Sequence, residues 1–226
     1  MTKTFSILFA FLFLAACEKS DSENGTKHLE ISNLVTEQEN YSREKPQKFA
    51  IHLKHIDVPT LALTFETEVK MIDFSRDQEE KVEKALDLIK QVIASEAFKR
   101  GILNKTYMGQ KRFKDNDGLS NLKIYNKILE AAERLIPSKN NQLDVELELY
   151  LDNRSPALAY TFTHVKRIWM NKKFFNNFEP YQVAGNIFHE WLHKLGFKHG
   201  VKASSSRKHS VPYAVGYLVR DIARNL

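Results

Sequence analysis

Residues 180–200 read PYQVAGNIFHEWLHKLGFKHG. Pro180 suits the first turn of a helix, because its ring presets φ and its missing N–H would find no helical partner there anyway. Ala184, Ile187, Phe188, Trp191, Leu192 and Leu195 then recur at helical spacing and predict one apolar stripe. Gly196 lets the chain leave the helix through a left-handed conformation that other residues adopt at a cost. A helix over 180–195 with such a stripe needs a surface to pack on, and the upstream segments supply one.

Leu143, Val145, Leu147, Leu149 and Leu151 alternate with Asp144, Glu146, Glu148 and Tyr150, the pattern of a half-buried strand. Shorter strands are expected at Ala157–Phe162 and Arg167–Asn171. Further upstream, Phe49, Ile51 and Leu53 alternate with polar residues, as do Leu61, Leu63, Phe65, Thr67 and Val69, with a turn at 57–60. Ser75 and Gln78 form a capping box. Val82, Leu86, Ile89, Ile93 and Ala97 continue from it as a stripe, and Gly101 reads as the stop. A second helix is expected over 120–136, with Tyr125, Ile128, Ala132 and Leu135 inward and Pro137 as breaker. Residues 102–119 read as a basic loop. A final amphipathic helix starts near Ser210 and uses Val215, Leu218, Val219 and Ile222. Mixed strands and helices followed by helix, loop, helix predict an α+β fold, with a twisted sheet backing the 180–195 helix.

Composition bounds the function classes. The chain has 226 residues, 42% hydrophobic and 27% charged, which excludes a wholly disordered polymer. A single Cys excludes an internal disulfide framework. The formal charge of +6 is mild. Its clusters at 111–114, 166–167, 172–173 and 207–208 read as solvated loops, and no nucleic-acid motif accompanies them.

The chemistry sits at the end of the quoted stretch. His189, Glu190 and His193 form H-E-x-x-H, and Gly196 with His199 extends it to H-E-x-x-H-x-x-G-x-x-H. Histidines four apart stack on one helix face and can share one Zn²⁺. Glu190 lies about 100° round the helix, within reach of a water on that metal. A turn at Gly196 returns His199 to the same ion as third ligand, leaving one position open for water, as catalytic zinc sites require. The stripe on the helix predicts His189 and His193 on the face away from the core. Glu190 is the last Glu in the chain, so no downstream glutamate ligand exists. His209 lies in a Ser-rich basic loop and reads as solvated.

Residues 189–199 resemble the motif of the metzincin zinc peptidases. The resemblance implies a zincin-like α+β fold: a twisted mixed sheet packed on helices including an active-site helix, and a small C-terminal subdomain ending in a helix. It also implies a peptide or protein substrate laid along an edge strand, which Ala157–Phe162 would supply beside Arg167–Asn171. Metzincins carry a methionine turn beneath the metal, and this chain has no Met after Met170. Ser210, Val211, Pro212 and Tyr213 fall where that turn would lie. Pro212 would then floor the site, and Tyr213 is either a hydrogen-bonding group near the metal or a buried structural ring.

The chain opens with Lys3, an apolar run over 5–16 and Cys17, the arrangement of a secretory signal. Leu14-Ala15-Ala16-Cys17 resembles the lipobox of bacterial lipoproteins, which implies a lipidated Cys17 at the mature N-terminus and attachment to a membrane of the cell envelope. Residues 1–16 are thus expected to be signal peptide, 17–47 a flexible polar tether, and 48–226 the catalytic domain. The expected function is membrane-tethered, zinc-dependent hydrolysis of peptide bonds, with His189, His193 and His199 as ligands and Glu190 as base. Two alternatives share the motif: a zinc hydrolase of a non-peptide amide such as a cell-wall polymer, and a metal-containing surface binding module with little turnover.

Overall fold

The computed structural model describes residues 65–226. The expected signal peptide, Cys17, the tether and the strand at 49–53 lie outside these residues. Among the described residues the order is β1 (Glu66–Ile72), α1 (Arg76–Ala94), α2 (Glu96–Leu103), α3 (Asn121–Glu130), β2 (Gln142–Tyr150), β3 (Ala159–Thr161), β4 (Arg167–Asn171), α4 (Lys172–Phe175), α5 (Pro180–Lys194) and α6 (Val211–Ala223). The fold is α+β, as its alternating patterns require. No helix among these is long and apolar enough to cross a membrane.

The four strands form one mixed sheet in the order β1-β2-β4-β3. β1, β2 and β4 run parallel, whereas β3 pairs antiparallel with β4 and forms an edge. In β2, Leu143, Val145, Leu147 and Leu149 are buried and face the helices. Glu146 and Glu148 face outward, held by Arg167 at 3.0 and 2.7 Å. Two residues break the expected alternation. Leu151 falls just past the strand and is 64% exposed. Asp144 is buried, because Asn140 donates to its carboxylate at 2.8 Å and its own N–H donates to the buried Glu133 at 3.0 Å.

Helix α1 starts as expected, with Gln78 Oε1 accepting from the Ser75 N–H at 3.0 Å. It does not run on to Gly101. Ser95 takes extended dihedrals, returns a hydrogen bond to Val92 O at 2.6 Å and accepts from the Phe98 N–H, so it ends one helix and caps the next. Gly101 lies inside α2. A Cβ there would come within 2.6 Å of a Leu218 methyl, so this glycine serves packing against α6 and not termination. Helix α3 ends early, at Ala131 in the left-handed region, and Leu135 is exposed. The released segment carries Glu133 into the core and brings the Arg134 N–H to Lys194 O at 2.9 Å, satisfying a carbonyl at the end of α5.

The sheet, α1, α2, α3, α5 and α6 share one core. Phe65 meets Trp191 edge-on at 5.6 Å, and Phe98 meets Phe188 at 5.9 Å, joining the sheet edge and α2 to the central helix. The C-terminal helix contributes Val211, Val215, Val219 and Ala223 to that same core. It therefore does not stand apart as a subdomain with its own interior.

Candidate metal centre

Helix α5 packs against both α1 and α6. Gln182 accepts from the Glu179 N–H at 2.9 Å to close its first turn. From Val183 to Lys194 every residue is buried. The expectation of a histidine face turned away from the core is thus corrected: α1 covers one side of the helix and α6 another, so His189, Glu190 and His193 are interior groups. Interior polar groups must be satisfied or functional.

The helix ends in a Schellman turn. Gly196 has φ of +94°, its N–H reaches His193 O at 2.9 Å, and the Phe197 N–H reaches back to Leu192 O at 3.1 Å. This buries Phe197 and places its carbonyl 2.7 Å from His193 Nδ1. The returning chain then brings His199 beside the helix. The centroids of the three rings form a near-equilateral triangle with sides of 5.2, 5.3 and 4.9 Å. Each ring offers a ligand nitrogen within 4.8 Å of the other two.

The second nitrogen of each ring decides the tautomer. His193 Nδ1 faces Phe197 O, and His199 Nδ1 faces Gly200 O at 3.1 Å. His189 bonds to the Pro212 carbonyl. A carbonyl can only accept, so the proton sits on Nδ1 and the lone pair on Nε2. The Nε2 atoms of His189 and His199 are shielded from solvent and have no hydrogen-bond partner among the described residues. Backbone carbonyls that orient imidazoles in this way are the usual outer layer of a metal site. The three histidines can hold a metal ion, and the stranded Nε2 atoms are the observation that fits one there.

Electrostatics point the same way. Burial pushes His193 down to about 4 and His199 to about 3, and it drives His189 well below the ordinary imidazole value. The Arg207 guanidinium, buried nearby, lowers all three further. The rings are therefore neutral, the form that binds metal.

Helix α6 forms the other wall. Ser210 precedes its first turn, with its hydroxyl donating back to Arg207 O at 2.8 Å, and Pro212 lies in that turn, so the segment expected as a turn beneath a metal is the start of a helix. Pro212 contributes its carbonyl to His189. The Tyr213 ring lies 4.5 Å from His189 and 4.7 Å from His199, with Arg207 4.7 Å over it. Tyr213 is thus both a buried ring and a neighbour of the metal centre. The close approach depends on Gly216, where a Cβ would stand 3.0 Å from His189 Cβ.

Glu190 is fully buried on the same turn as His189. Its charge reaches the end of β2, where the Tyr150 phenol is pushed up to about 12, chiefly by burial and in small part by Glu190. His209 stays outside the trio. It is not solvated as expected: it packs on Tyr107 at 5.2 Å and is lowered by burial and by the charges of Lys105, Lys208 and Lys114. Arg207, expected with Lys208 in a solvated loop, is instead buried close enough to act on all three histidines. Lys194 beside His193, and Glu133 bonded to Trp191, are also buried and carried no signal in the sequence, since a lone charged side chain reads as surface. No protein family and no curated protein sequence matches the chain.

Proposed function

We propose that the protein is a zinc metallopeptidase held at a membrane by its lipidated N-terminus. The observation that carries this reading is the convergence of His189, His193 and His199 with a buried carboxylate, Glu190, on the same helix turn. Three neutral imidazoles at one corner suit Zn²⁺ with an open fourth position. When bound, the ion supplies Lewis-acid polarisation of the scissile carbonyl and acidifies a water molecule.

The residues of the chain do the rest. His189, His193 and His199 would hold the ion, their rings oriented by the Pro212, Phe197 and Gly200 carbonyls. Glu190 takes the proton from the attacking water and delivers it to the departing amine nitrogen. Tyr213 closes the α6 side of the site against bulk water. The outer edge of β3 pairs with no other strand among the described residues. It offers backbone donors and acceptors to an extended peptide, so substrate binds by strand addition.

The reading is tested with residues 18–226 loaded with zinc and given a peptide library. Cleavage should stop when a chelator strips the metal and return when zinc is restored. Cleavage that survives complete metal removal in folded protein would overturn it.

A further inference from the structure

Lys194 follows His193 and ends α5, and it is only 2% exposed. Its Nζ donates to Phe162 O at 2.9 Å and Arg167 O at 3.1 Å, and at closer range to Val165 O and Thr161 Oγ1. All four oxygens belong to the β3–β4 hairpin. The Thr161 hydroxyl donates its own hydrogen to Arg167 O at 2.7 Å, so it presents only a lone pair to Lys194. The cage therefore contains acceptors and no donor. That suits an ammonium, which has three N–H groups and no lone pair. Oxygens gathered round one point are also the donor set that replaces the hydration shell of a monovalent cation. With no cation among them, these part-buried oxygens would face one another with little access to water.

The hairpin carries β3, the edge that the peptidase reading assigns to substrate. We propose that Lys194 is a positioning residue whose ammonium serves as a built-in monovalent cation. It locks the β3–β4 hairpin to the C-terminal end of α5 and so fixes the substrate-pairing edge relative to the metal centre. The functional half of this inference rests on the peptidase reading, whereas the cage does not.

Hydrogen exchange across residues 159–167 tests it, together with zinc content and peptide kinetics. In choline chloride, Lys194→Ala should exchange these amides about tenfold faster than the wild type. It should keep its zinc, and KM should rise more than kcat falls. Ammonium or potassium chloride should restore protection and KM in Lys194→Ala, but not in Lys194→Met, whose side chain fills the cage. Wild-type exchange in Lys194→Ala, or faster exchange indifferent to both cations, overturns the proposal. Should Lys194→Ala not fold, Thr161→Val decides: faster exchange in the same segment supports the cage and unchanged exchange refutes it. A wild type that cleaves no peptide defeats the peptidase reading, while the exchange data still judge the cage.

Discussion

Each histidine of the trio turns one ring nitrogen to a backbone carbonyl, and the Nε2 of His189 and of His199 has no hydrogen-bond partner among the described residues. Keeping the rings neutral in an interior has a consequence for acid stability. Burial first, and nearby groups second (Lys194 and Arg207 at His193, His193 and then Arg207 at His199), hold their folded-state values below the 6.5 of a free imidazole, at about 4 for His193 and about 3 for His199. Below pH 6.5 the unfolded chain takes up protons that the folded chain refuses. The stability these rings contribute is thus fully present above about 6.5 and is lost as pH falls toward 4 and then 3. Each refusing imidazole costs about 1.4 kcal/mol per pH unit in that window. Urea unfolding of metal-free protein should show the midpoint falling steeply between pH 6.5 and 4.5. His193→Gln should reduce that slope by close to one proton; an unchanged slope would mean that this ring is not held neutral by the fold.

At the scale of elements, the crossing of α5 and α6 sets the site. Gly185 and Gly216 let the helices approach until a Cβ on Gly185 would stand 2.9 Å from Gly216 O and 2.7 Å from Arg220 Cβ. Backbone cannot yield as a side-chain tip can, so Gly185→Ala should force the helices apart. The expected cost is about 1–3 kcal/mol of stability, with weakened zinc affinity because His189 and Pro212 separate. Thermal melts and a competitive zinc titration read both effects, and loss of neither would deny that this crossing shapes the centre. The same elements show what a sequence discloses. The span of α5, its Gly196 exit, the start of α6 at Ser210 and the strand at 167–171 follow from periodicity and capping chemistry, which are local. The break at Ser95, the early end of α3 and the packing role of Gly101 do not. Each is decided by a partner distant in the chain: Glu133 must reach Trp191 Nε1, which lies 2.5 Å from its carboxylate, and Leu218 must fit against Gly101. The three histidines were legible because their spacing encodes their geometry. Lys194 and Arg207 were not, because only the tertiary fold encloses them.

Across the described residues, one hydrophobic cluster unites the sheet, the histidine-bearing helix and the C-terminal helix, and the buried His189 and half-buried His199 lie at its border. A packed frame of this kind would hold three imidazoles in place for an ion, which would favour tight binding. The proposed lipid anchor is tested at one residue: Cys17→Ser should move the protein from membrane to soluble fractions, and continued membrane association would reject the anchor. The claim on which the account depends is that the three imidazoles hold an ion for Glu190 to use. It is tested most directly by preparing wild type and Glu190→Gln side by side, measuring bound zinc and then digesting the same peptide library. Both should carry one zinc per chain, and the variant should lose cleavage by about three orders of magnitude or more. Equal cleavage by the two proteins, or folded wild type that holds no zinc, would contradict the account.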